Sequence, residues 1–317
     1  MKLLYGLKKA ILLPERVVAT IGNFDGVHRG HQALLDSLRR HALQLQYPLL
    51  VILFEPQPSE FFRGHQAPVR LMSLREKIRS LNLLGVDYVC CLKFNESLAQ
   101  MSAQDFAEQI IFKALHVKYL LTGSDFRFGR SRLGDVDLLT HLGEKHGAEV
   151  ERFSDYTLEN ERISSTAIRY ALEKGQLDEA TSRLGRPYHV CGRVIQGDGR
   201  GRQWGIPTAN IAFNRDSLPI SGVFHVMVRR QHHHSVYQGV ANIGRRPTIG
   251  GSYSFSIEVH LFDFDEWIYG EMLEVHFIHK LRDEQKFDSV DSLINQIRRD
   301  IALARRMDLA NVNVDTL

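Results

Sequence analysis

Two histidines, His28 and His31, stand at the start of a predicted helix that follows the apolar strand 17–21. Between strand and helix the chain is rich in glycine and reads GNFDGVHRGH over 22–31. A helix N-terminus carries partial positive charge and unpaired N–H groups, so it attracts phosphate. Imidazoles beside it can donate hydrogen bonds to phosphate oxygens as charge moves to a leaving pyrophosphate. This combination predicts nucleotidyl transfer.

The same string resembles the signature of the H-x-G-H nucleotidyltransferase superfamily. Its longer form, GNFDGVHRGHQ, resembles the flavin branch, the adenylyltransferase half of bacterial bifunctional FAD synthetases. The resemblance implies that the phosphate of FMN attacks the α-phosphorus of ATP and releases pyrophosphate, with His28 and His31 as catalytic residues. Glycine lets the backbone approach a nucleotide closely because it has no Cβ. The predicted nucleotide-binding residues of this segment are Gly22, Asn23, Phe24, Asp25, Gly26 and Gly30.

A later segment, ISSTAIR over 163–169, opens another predicted helix. The hydroxyl groups of Ser164, Ser165 and Thr166 can cap that helix and donate hydrogen bonds to phosphate. The charge of Arg169, one turn further along, suits the β- and γ-phosphates of ATP, and we expect this residue to be catalytic. An ordinary alternative exists, because Ser-Ser-Thr before a helix is first of all an N-cap.

Two loops that follow predicted strands are candidates for contacts with the flavin. They are FEPQP over 54–58 and GSDFRFGR over 123–130, and they offer Gln57, Asp125, Phe126 and Arg127. Ligands of parallel sheets bind beyond the carboxyl ends of the strands, where both loops fall. Many members of the family that the chain resembles have histidine where this chain has Gln57. Glutamine forms hydrogen bonds but cannot carry a proton charge, which argues against a charge-based role for this position.

A second glycine-rich stretch, GDGRGRQWGIPTAN, covers residues 197–210. It resembles the glycine-rich loop and Pro-Thr-Ala-Asn motif of riboflavin kinases. Such a loop can arch around phosphates, and the resemblance assigns nucleotide binding to Gly197, Gly199, Gly201 and Arg202. The side chains of Thr208 and Asn210 are hard oxygen donors suited to Mg²⁺, which needs few protein ligands when it arrives with a nucleotide. An ordinary glycine-rich hairpin followed by a proline turn is the alternative.

A hydroxyl nucleophile calls for a general base, and Glu258 is the candidate. In FSIEVHLF over 255–262 the apolar residues alternate onto one face and leave Glu258 on the other. A strand glutamate that faces solvent is the alternative, but riboflavin kinases carry their catalytic glutamate in this type of strand. Two further segments resemble the same family. They contribute Asn242 and Arg282 as predicted flavin-binding residues, together with Arg245 and Thr248, whose roles stay unassigned.

These site residues need elements that hold them in place. Residues 1–183 alternate strand-like and helix-like segments, which predicts an α/β, Rossmann-like nucleotidyltransferase domain with a parallel sheet. Residues 184–317 are mostly strand-like, which predicts a small antiparallel β-barrel of riboflavin kinase type with a C-terminal helix. The strands of the first domain are expected near 17–21, 48–54, 86–92, 118–122 and 148–152, and its helices near 31–46, 73–84, 103–116, 135–147 and 165–183.

Composition narrows the class of protein further. The 317 residues carry a net charge of +3, spread evenly over both halves, so neither half shows the basic surface of a nucleic-acid or anionic-membrane binder. No apolar stretch approaches the length of a membrane span. The three cysteines, Cys90, Cys91 and Cys191, lack metal-ligand spacing and cannot all pair. We therefore expect a reduced, cytoplasmic protein.

The expected function is a bifunctional transferase that phosphorylates riboflavin to FMN in its C-terminal domain and adenylylates FMN to FAD in its N-terminal domain. ATP and Mg²⁺ would serve both reactions, and riboflavin, FMN and FAD would be the flavin partners. One alternative is a nucleotidyltransferase for another phosphorylated acceptor, fused to an unrelated barrel. A second alternative is a flavin-binding regulatory protein with inactive sites.

Overall fold

The computed structural model describes residues 1–154, 156–158, 161–213, 215, 217–231, 233, 235–247 and 253–307, with the side chains of 245–247 and 253–254 left aside. Within it the chain forms two compact units. The first contains residues 1–68 and 74–164, and the second contains residues 69–73 and 165–317. The predicted Thr248 lies outside the described residues.

The first unit is built on a six-stranded sheet in which every neighbouring pair of strands is parallel. Its spatial order is β1-β4-β3-β2-β5-β6, so β2 lies between β3 and β5. The strands are β1 (Lys2–Tyr5), β2 (Val17–Ile21), β3 (Leu49–Glu55), β4 (Tyr88–Lys93), β5 (Val117–Gly123) and β6 (Glu149–Phe153). All five residues of β2 are buried, as expected for a strand that is covered on both faces.

Helices connect these strands and cover the sheet. They are α1 (Arg29–Leu45), α2 (Pro58–Arg63), α3 (Leu74–Leu83), α4 (Glu96–Ala99), α5 (Ala103–Asp105) and α6 (Val136–Lys145). Short 3-10 turns cover Leu7–Leu12, Gly64–Gln66 and Arg130–Arg132, and the small antiparallel pair β7 (Thr157–Leu158) and β8 (Glu161–Arg162) follows the sheet. The buried residues of α1 are Leu34, Leu35, Leu38 and Ala42, a stripe at helical spacing that packs on β2 and β3.

The second unit is a closed barrel of six antiparallel strands in the order β10-β13-β12-β11-β14-β9. Its strands are β9 (His189–Ile195), β10 (Ala209–Ala212), β11 (Gly222–Arg230), β12 (Val236–Pro247), β13 (Tyr253–Leu261) and β14 (Met272–Arg282). Alternate residues fill the interior, since Phe224 and Phe277 are fully buried and meet edge to face. The helices of this unit are α7 (Ser165–Glu173), α8 (Leu177–Leu184), α9 (Arg200–Gln203) and α10 (Val290–Ala304).

The expected parallel sheet, antiparallel barrel and C-terminal helix are confirmed, and three elements differ in detail. The helix expected over 103–116 begins as α5 and continues as a π-helix over Phe106–Ala114. The helix expected over 165–183 is interrupted at Gly175, whose φ of 71° ends α7 before α8 begins. On α10 the expected apolar residue Val290 is 54% exposed, whereas Asp300 is buried.

Both α7 and α8 belong to the second compact unit, although the sequence pattern groups them with the sheet. The limits 1–183 and 184–317 for the two functional domains stay a prediction. Among the described residues, no helix combines the length and the hydropathy that a membrane crossing requires. The three cysteines are free thiols, and burial raises the pKa of Cys90 to about 12, so that thiol stays protonated.

Candidate active sites

The two histidines of the first unit form a stacked pair at the start of α1. His28 is the N-cap residue, and its Nδ1 accepts a hydrogen bond from the backbone N–H of His31 at 3.3 Å. The two rings lie 3.7 Å apart and within 14° of parallel. Because Nδ1 of His28 acts as an acceptor, a neutral ring carries its proton on Nε2. His28 thus caps the helix with one nitrogen and keeps the other as a donor.

His31 is held uncharged at neutral pH by its surroundings. Burial is the largest cause that keeps the pKa of His31 well below its ordinary value, and the charges of His28 and Lys77 lower it further. The Nδ1 atom of His31 is buried and has no hydrogen-bond partner among the described residues. A buried ring nitrogen without a partner is costly, so this atom is suited to a bound ligand.

The loop before the pair is tightly folded and locally strained. Its residues Phe24, Gly26 and Val27 all have positive φ, of 47°, 85° and 42°. Such a backbone is rare for a β-branched residue, and strain of this kind concentrates at functional sites. A side chain at Gly30 would also bring its Cβ within 3.2 Å of Nδ1 of His28. The predicted glycines therefore serve close packing of the loop and its histidines.

Lys77 supports this loop, and the sequence pattern did not single it out. The residue lies on α3 and is 1% exposed, and its Nζ donates to the backbone carbonyl of Asn23 at 2.5 Å. Lys77 and Leu81 share the buried face of α3. Lys77 occupies a position where the pattern of an amphipathic helix requires an apolar residue, and this mismatch could have identified it from the sequence.

Three predicted loops follow three neighbouring strands. The histidine loop follows β2, the loop with Gln57 follows β3, and the loop with Asp125 follows β5. Because the carboxyl ends of parallel strands meet at one edge of a sheet, the loops share that edge. Gln57 is 5% exposed, and its side-chain nitrogen has no partner in the part of the chain that the structure describes. It is a buried donor at the expected edge.

The predicted residues of the loop after β5 already have partners in the protein. Asp125 pairs with Arg162 at 2.9 Å, and Arg127 pairs with Asp135 at 3.2 Å. All four of these groups are at least a third exposed, and exposed ion pairs of this kind contribute little. Phe126 stacks on Phe128 and packs against the core of the sheet.

The residues predicted from ISSTAIR are divided between the two units. Ser164 ends the last segment of the first unit, whereas Ser165, Thr166 and Arg169 lie on α7 in the second. The Nε of Arg169 donates to the carbonyl of Val69 at 2.6 Å. Their part in adenylyl transfer stays a prediction.

The second unit contains a cavity of about 380 Å³, lined by residues of the glycine-rich loop, of the barrel strands and of α10. Glu258 lies on its wall, and the strand register places Asn210 of β10 and Asn242 of β12 directly opposite it. The adjacent residues Ile257 and Val259 are buried on the other face of β13, as the alternation predicted. The predicted residues that line the cavity together are Gly199, Gly201, Thr208, Asn210, Asn242, Glu258 and Arg282.

The glycine-rich loop lies against the two predicted oxygen donors. A Cβ at Gly197 would come within 2.6 Å of Cγ of Asn210, and one at Gly201 would clash with the carbonyl of Ile206 and come within 3.3 Å of Oγ1 of Thr208. Gly197 and Arg202 are not part of the cavity wall. The guanidinium of Arg202 lies 4.6 Å from the ring centre of Trp267, which is 72% exposed.

Several wall residues were not predicted, and His260 and Trp204 are two of them. The Nδ1 of His260 donates to the carbonyl of Pro207 at 2.8 Å, which ties β13 to the Pro-Thr-Ala-Asn turn. Its place two residues after Glu258, on the same face of a strand, was the available signal. Asp300 of α10 also reaches the wall, where it binds Arg282.

Comparisons with known proteins match both halves of the chain. A family model for FAD synthetase matches residues 11–167, and one for riboflavin kinase matches residues 184–308. Proteins named bifunctional riboflavin kinase/FMN adenylyltransferase are similar over nearly their whole length. The one from Haemophilus influenzae is 47% identical, covering 96% of this chain and 98% of the relative, and that from Escherichia coli K12 is 45% identical, covering 96% and 97%.

A solved structure is also similar over the whole chain. It is described as a macrolide-efflux protein from Streptococcus pneumoniae, with a TM-score of 0.84 and 30% identity. The similarity covers 97% of this chain and 100% of that one. Both halves of the sequence therefore have counterparts joined in the same order in single chains.

Proposed function

The chain belongs to the family of bifunctional riboflavin kinase/FMN adenylyltransferases, and from this premise we propose which residues carry each reaction. The enzyme phosphorylates riboflavin to FMN and adenylylates FMN to FAD. The two matched families occupy the C-terminal and N-terminal parts of the chain, respectively. Kinase chemistry is therefore assigned to the barrel cavity, and adenylyl transfer to the edge of the parallel sheet.

In the barrel, Glu258 is the general base for phosphoryl transfer. Its carboxylate accepts the proton of the riboflavin 5′-hydroxyl, the hydroxyl oxygen forms a bond to the γ-phosphorus of ATP, and ADP leaves. The position of Glu258 between Asn210 and Asn242 on the cavity wall supports this role. Gly199 and Gly201 are assigned to the nucleotide, together with the flanking Gly197 and Arg202.

The donor set of the cavity fits Mg²⁺ that arrives with a nucleotide. Thr208 and Asn210 contribute neutral oxygen donors to the wall beside Glu258. Over the described ranges, no group of three or more histidine, cysteine or acidic residues has metal-ligand geometry. Mg²⁺ bound to phosphates keeps several waters and needs only one or two protein ligands, so Thr208 and Asn210 would hold it. When bound it would neutralise charge on the phosphates.

At the sheet edge, the reaction needs no protein nucleophile. An oxygen of the FMN phosphate bonds to the α-phosphorus of ATP, and the bond to the leaving pyrophosphate breaks. His28 and His31 donate hydrogen bonds to the phosphates, and the turn over Gly22, Gly26 and Gly30 lets the backbone lie close to them. The capped, stacked histidine pair supports this assignment. Arg169, Ser164, Ser165 and Thr166 complete the proposed set with Asn23, Phe24 and Asp25.

Contacts with the flavin are proposed for two groups of residues. Gln57 is the best supported at the sheet edge, because its buried amide nitrogen has no partner over the described ranges. Asp125, Phe126 and Arg127 belong to the same edge, and Asn242 and Arg282 belong to the barrel. Free cysteines are in keeping with a reduced compartment, so the cytoplasmic location is also proposed.

The observation that carries the division of labour is the position of Glu258 in the barrel cavity. It is tested by a chromatographic time course of riboflavin, FMN and FAD with the Glu258→Gln variant, ATP and Mg²⁺. We expect FMN formation from riboflavin to fall by about 100-fold or more. Conversion of added FMN to FAD should remain within about twofold of the unmodified enzyme, because that site uses other residues. Loss of both activities in a folded variant would contradict the two-site assignment.

A further inference from the structure

Asp300 is the most unusual residue of helix α10. It is 4% exposed, whereas the helix's apolar residues Leu293 and Ile297 are only half-buried where they line the cavity. Aspartate is almost never fully buried unless it is paired. An acidic residue at a buried position of an amphipathic helix therefore needs a specific partner.

That partner is Arg282, at the end of β14. Its Nε donates to both carboxylate oxygens of Asp300, at 3.1 and 3.0 Å, and its Nη2 donates to Oδ2 at 2.8 Å. Gln296 adds a hydrogen bond to Oδ1 at 2.9 Å. Such a two-pronged contact fixes both the position and the plane of a guanidinium group.

The pair leaves Arg282 with unused donors but little free charge. A guanidinium has five N–H bonds, and one from Nη1 is engaged with the carbonyl of Asp283 at 3.0 Å. Two N–H bonds remain beyond those directed to Asp300 and Asp283. Since the carboxylate of Asp300 neutralises the cation, the remaining donors suit an uncharged acceptor better than a phosphate. The isoalloxazine ring of riboflavin offers such acceptors in its two carbonyl groups.

We propose that Asp300 is a positioning residue which holds Arg282 so that its remaining N–H groups bind a ring carbonyl of riboflavin. The inference rests on the proposed assignment of the barrel cavity to riboflavin phosphorylation. It gives the cavity two recognition elements, the Glu258 side for the hydroxyl and phosphate and the Arg282–Asp300 pair for the flavin ring. Riboflavin affinity should therefore depend on Asp300, while ATP affinity should not.

The same barrel offers a matched control. Arg230, at the far end of β11, is 5% exposed and binds Glu271 through Nε at 2.9 Å and Nη2 at 2.8 Å. Val223 at the start of β11 lines the cavity, and Arg230 lies seven residue steps further along the strand, roughly 23 Å at about 3.3 Å per step. Glu271→Gln thus weakens a similar buried pair without touching the cavity.

The experiment compares Asp300→Asn, Glu271→Gln and the unmodified enzyme in FMN formation, with riboflavin and ATP varied separately. Asp300→Asn should raise the KM for riboflavin about 10-fold or more and leave the KM for ATP within about twofold. Glu271→Gln should change neither value. An unchanged riboflavin KM in Asp300→Asn, or equal increases for both substrates, would refute the positioning role.

Two further variants keep the test decisive. If Asp300→Asn does not fold, as judged by circular dichroism and thermal unfolding, Arg282→Lys replaces it. That variant keeps the charge but lacks the planar fork, so it should also raise the riboflavin KM selectively, and an unchanged value would refute the proposal. Glu258→Gln is measured in parallel, because full FMN formation by that variant would show that the cavity assignment itself is wrong.

Discussion

The sheet site and the barrel site are built in different ways. At the sheet edge one contiguous loop and the start of one helix supply the histidines, the glycines and the strained backbone. In the barrel, the wall residues come from segments up to about a hundred positions apart, and strand register alone brings Asn210, Asn242 and Glu258 together. The histidines and glycines of the sheet site are close together in the sequence, whereas Asn210, Asn242 and Glu258 come together only when the barrel strands pair.

The largest expected effect tests whether the two sites are independent. His31→Ala removes a ring whose buried Nδ1 has no partner among the described residues. The substitution should lower conversion of FMN to FAD by about 100- to 1,000-fold. FMN formation from riboflavin should stay within about twofold. Separate initial-rate assays with added FMN and with riboflavin check this. A parallel loss of kinase activity would show that the sites are coupled.

A smaller effect tests whether backbone also matters in the barrel. Gly201→Ala would press a Cβ against the carbonyl of Ile206 and Oγ1 of Thr208, so FMN formation should fall by roughly 10- to 100-fold, the size of a positioning error near 1 Å. Gly270→Ala is the control, because Gly270 has open space around it and lies outside the cavity wall, and its positive φ of 82° would reveal any general destabilisation of the barrel. Steady-state kinase rates decide between them. Equal losses would mean that general destabilisation of the barrel, rather than contact with Ile206 and Thr208, is responsible.

The smallest effect concerns stability and pH. Since the folded-state pKa of His31 lies below its unfolded value of 6.5, the unfolded chain binds more protons as the pH falls below 6.5. Folding should therefore weaken toward acid, by at most about 1.4 kcal/mol per pH unit from this one group. Thermal unfolding of His31→Gln at pH 7.5 and 5.5 should show a smaller acid-induced fall in Tm than the unmodified enzyme.

The exposed His65 provides the control for that measurement. His65→Gln should leave the acid-induced fall in Tm unchanged, because replacing an exposed side chain changes stability little. If His31→Gln and His65→Gln behaved alike, the neutral state assigned to His31 would be wrong.

Local patterns were enough to predict most of the fold. Alternating strands and helices predicted the parallel sheet, and alternation along β13 placed Glu258 on the face that lines the cavity. The burial of Lys77 and Asp300 was not predicted, because each lies in an amphipathic helix, where a charged residue is normally assigned to the solvent-facing side. Only the tertiary partners, the Asn23 carbonyl and the Arg282 guanidinium, make those positions favourable.

Placement of the exposed charges could not be predicted from the sequence either. Asp125 and Arg127 sit in a loop of the expected position, but their ion-pair partners, Arg162 and Asp135, come from other segments. The end of α7 near Gly175 could have been predicted from the sequence, because a glycine at a positive φ commonly ends a helix. The π-helical turn over Phe106–Ala114 has no comparable signal in its residue types.

Both tryptophans of the chain belong to the barrel unit. Trp204 lines the cavity, and Trp267 holds the guanidinium of Arg202 from the glycine-rich loop. Light at the long-wavelength end of the protein absorption band, where only tryptophan absorbs, therefore excites only the kinase half. The tryptophan fluorescence of this enzyme therefore reports on the barrel site alone, because the other half contains no tryptophan.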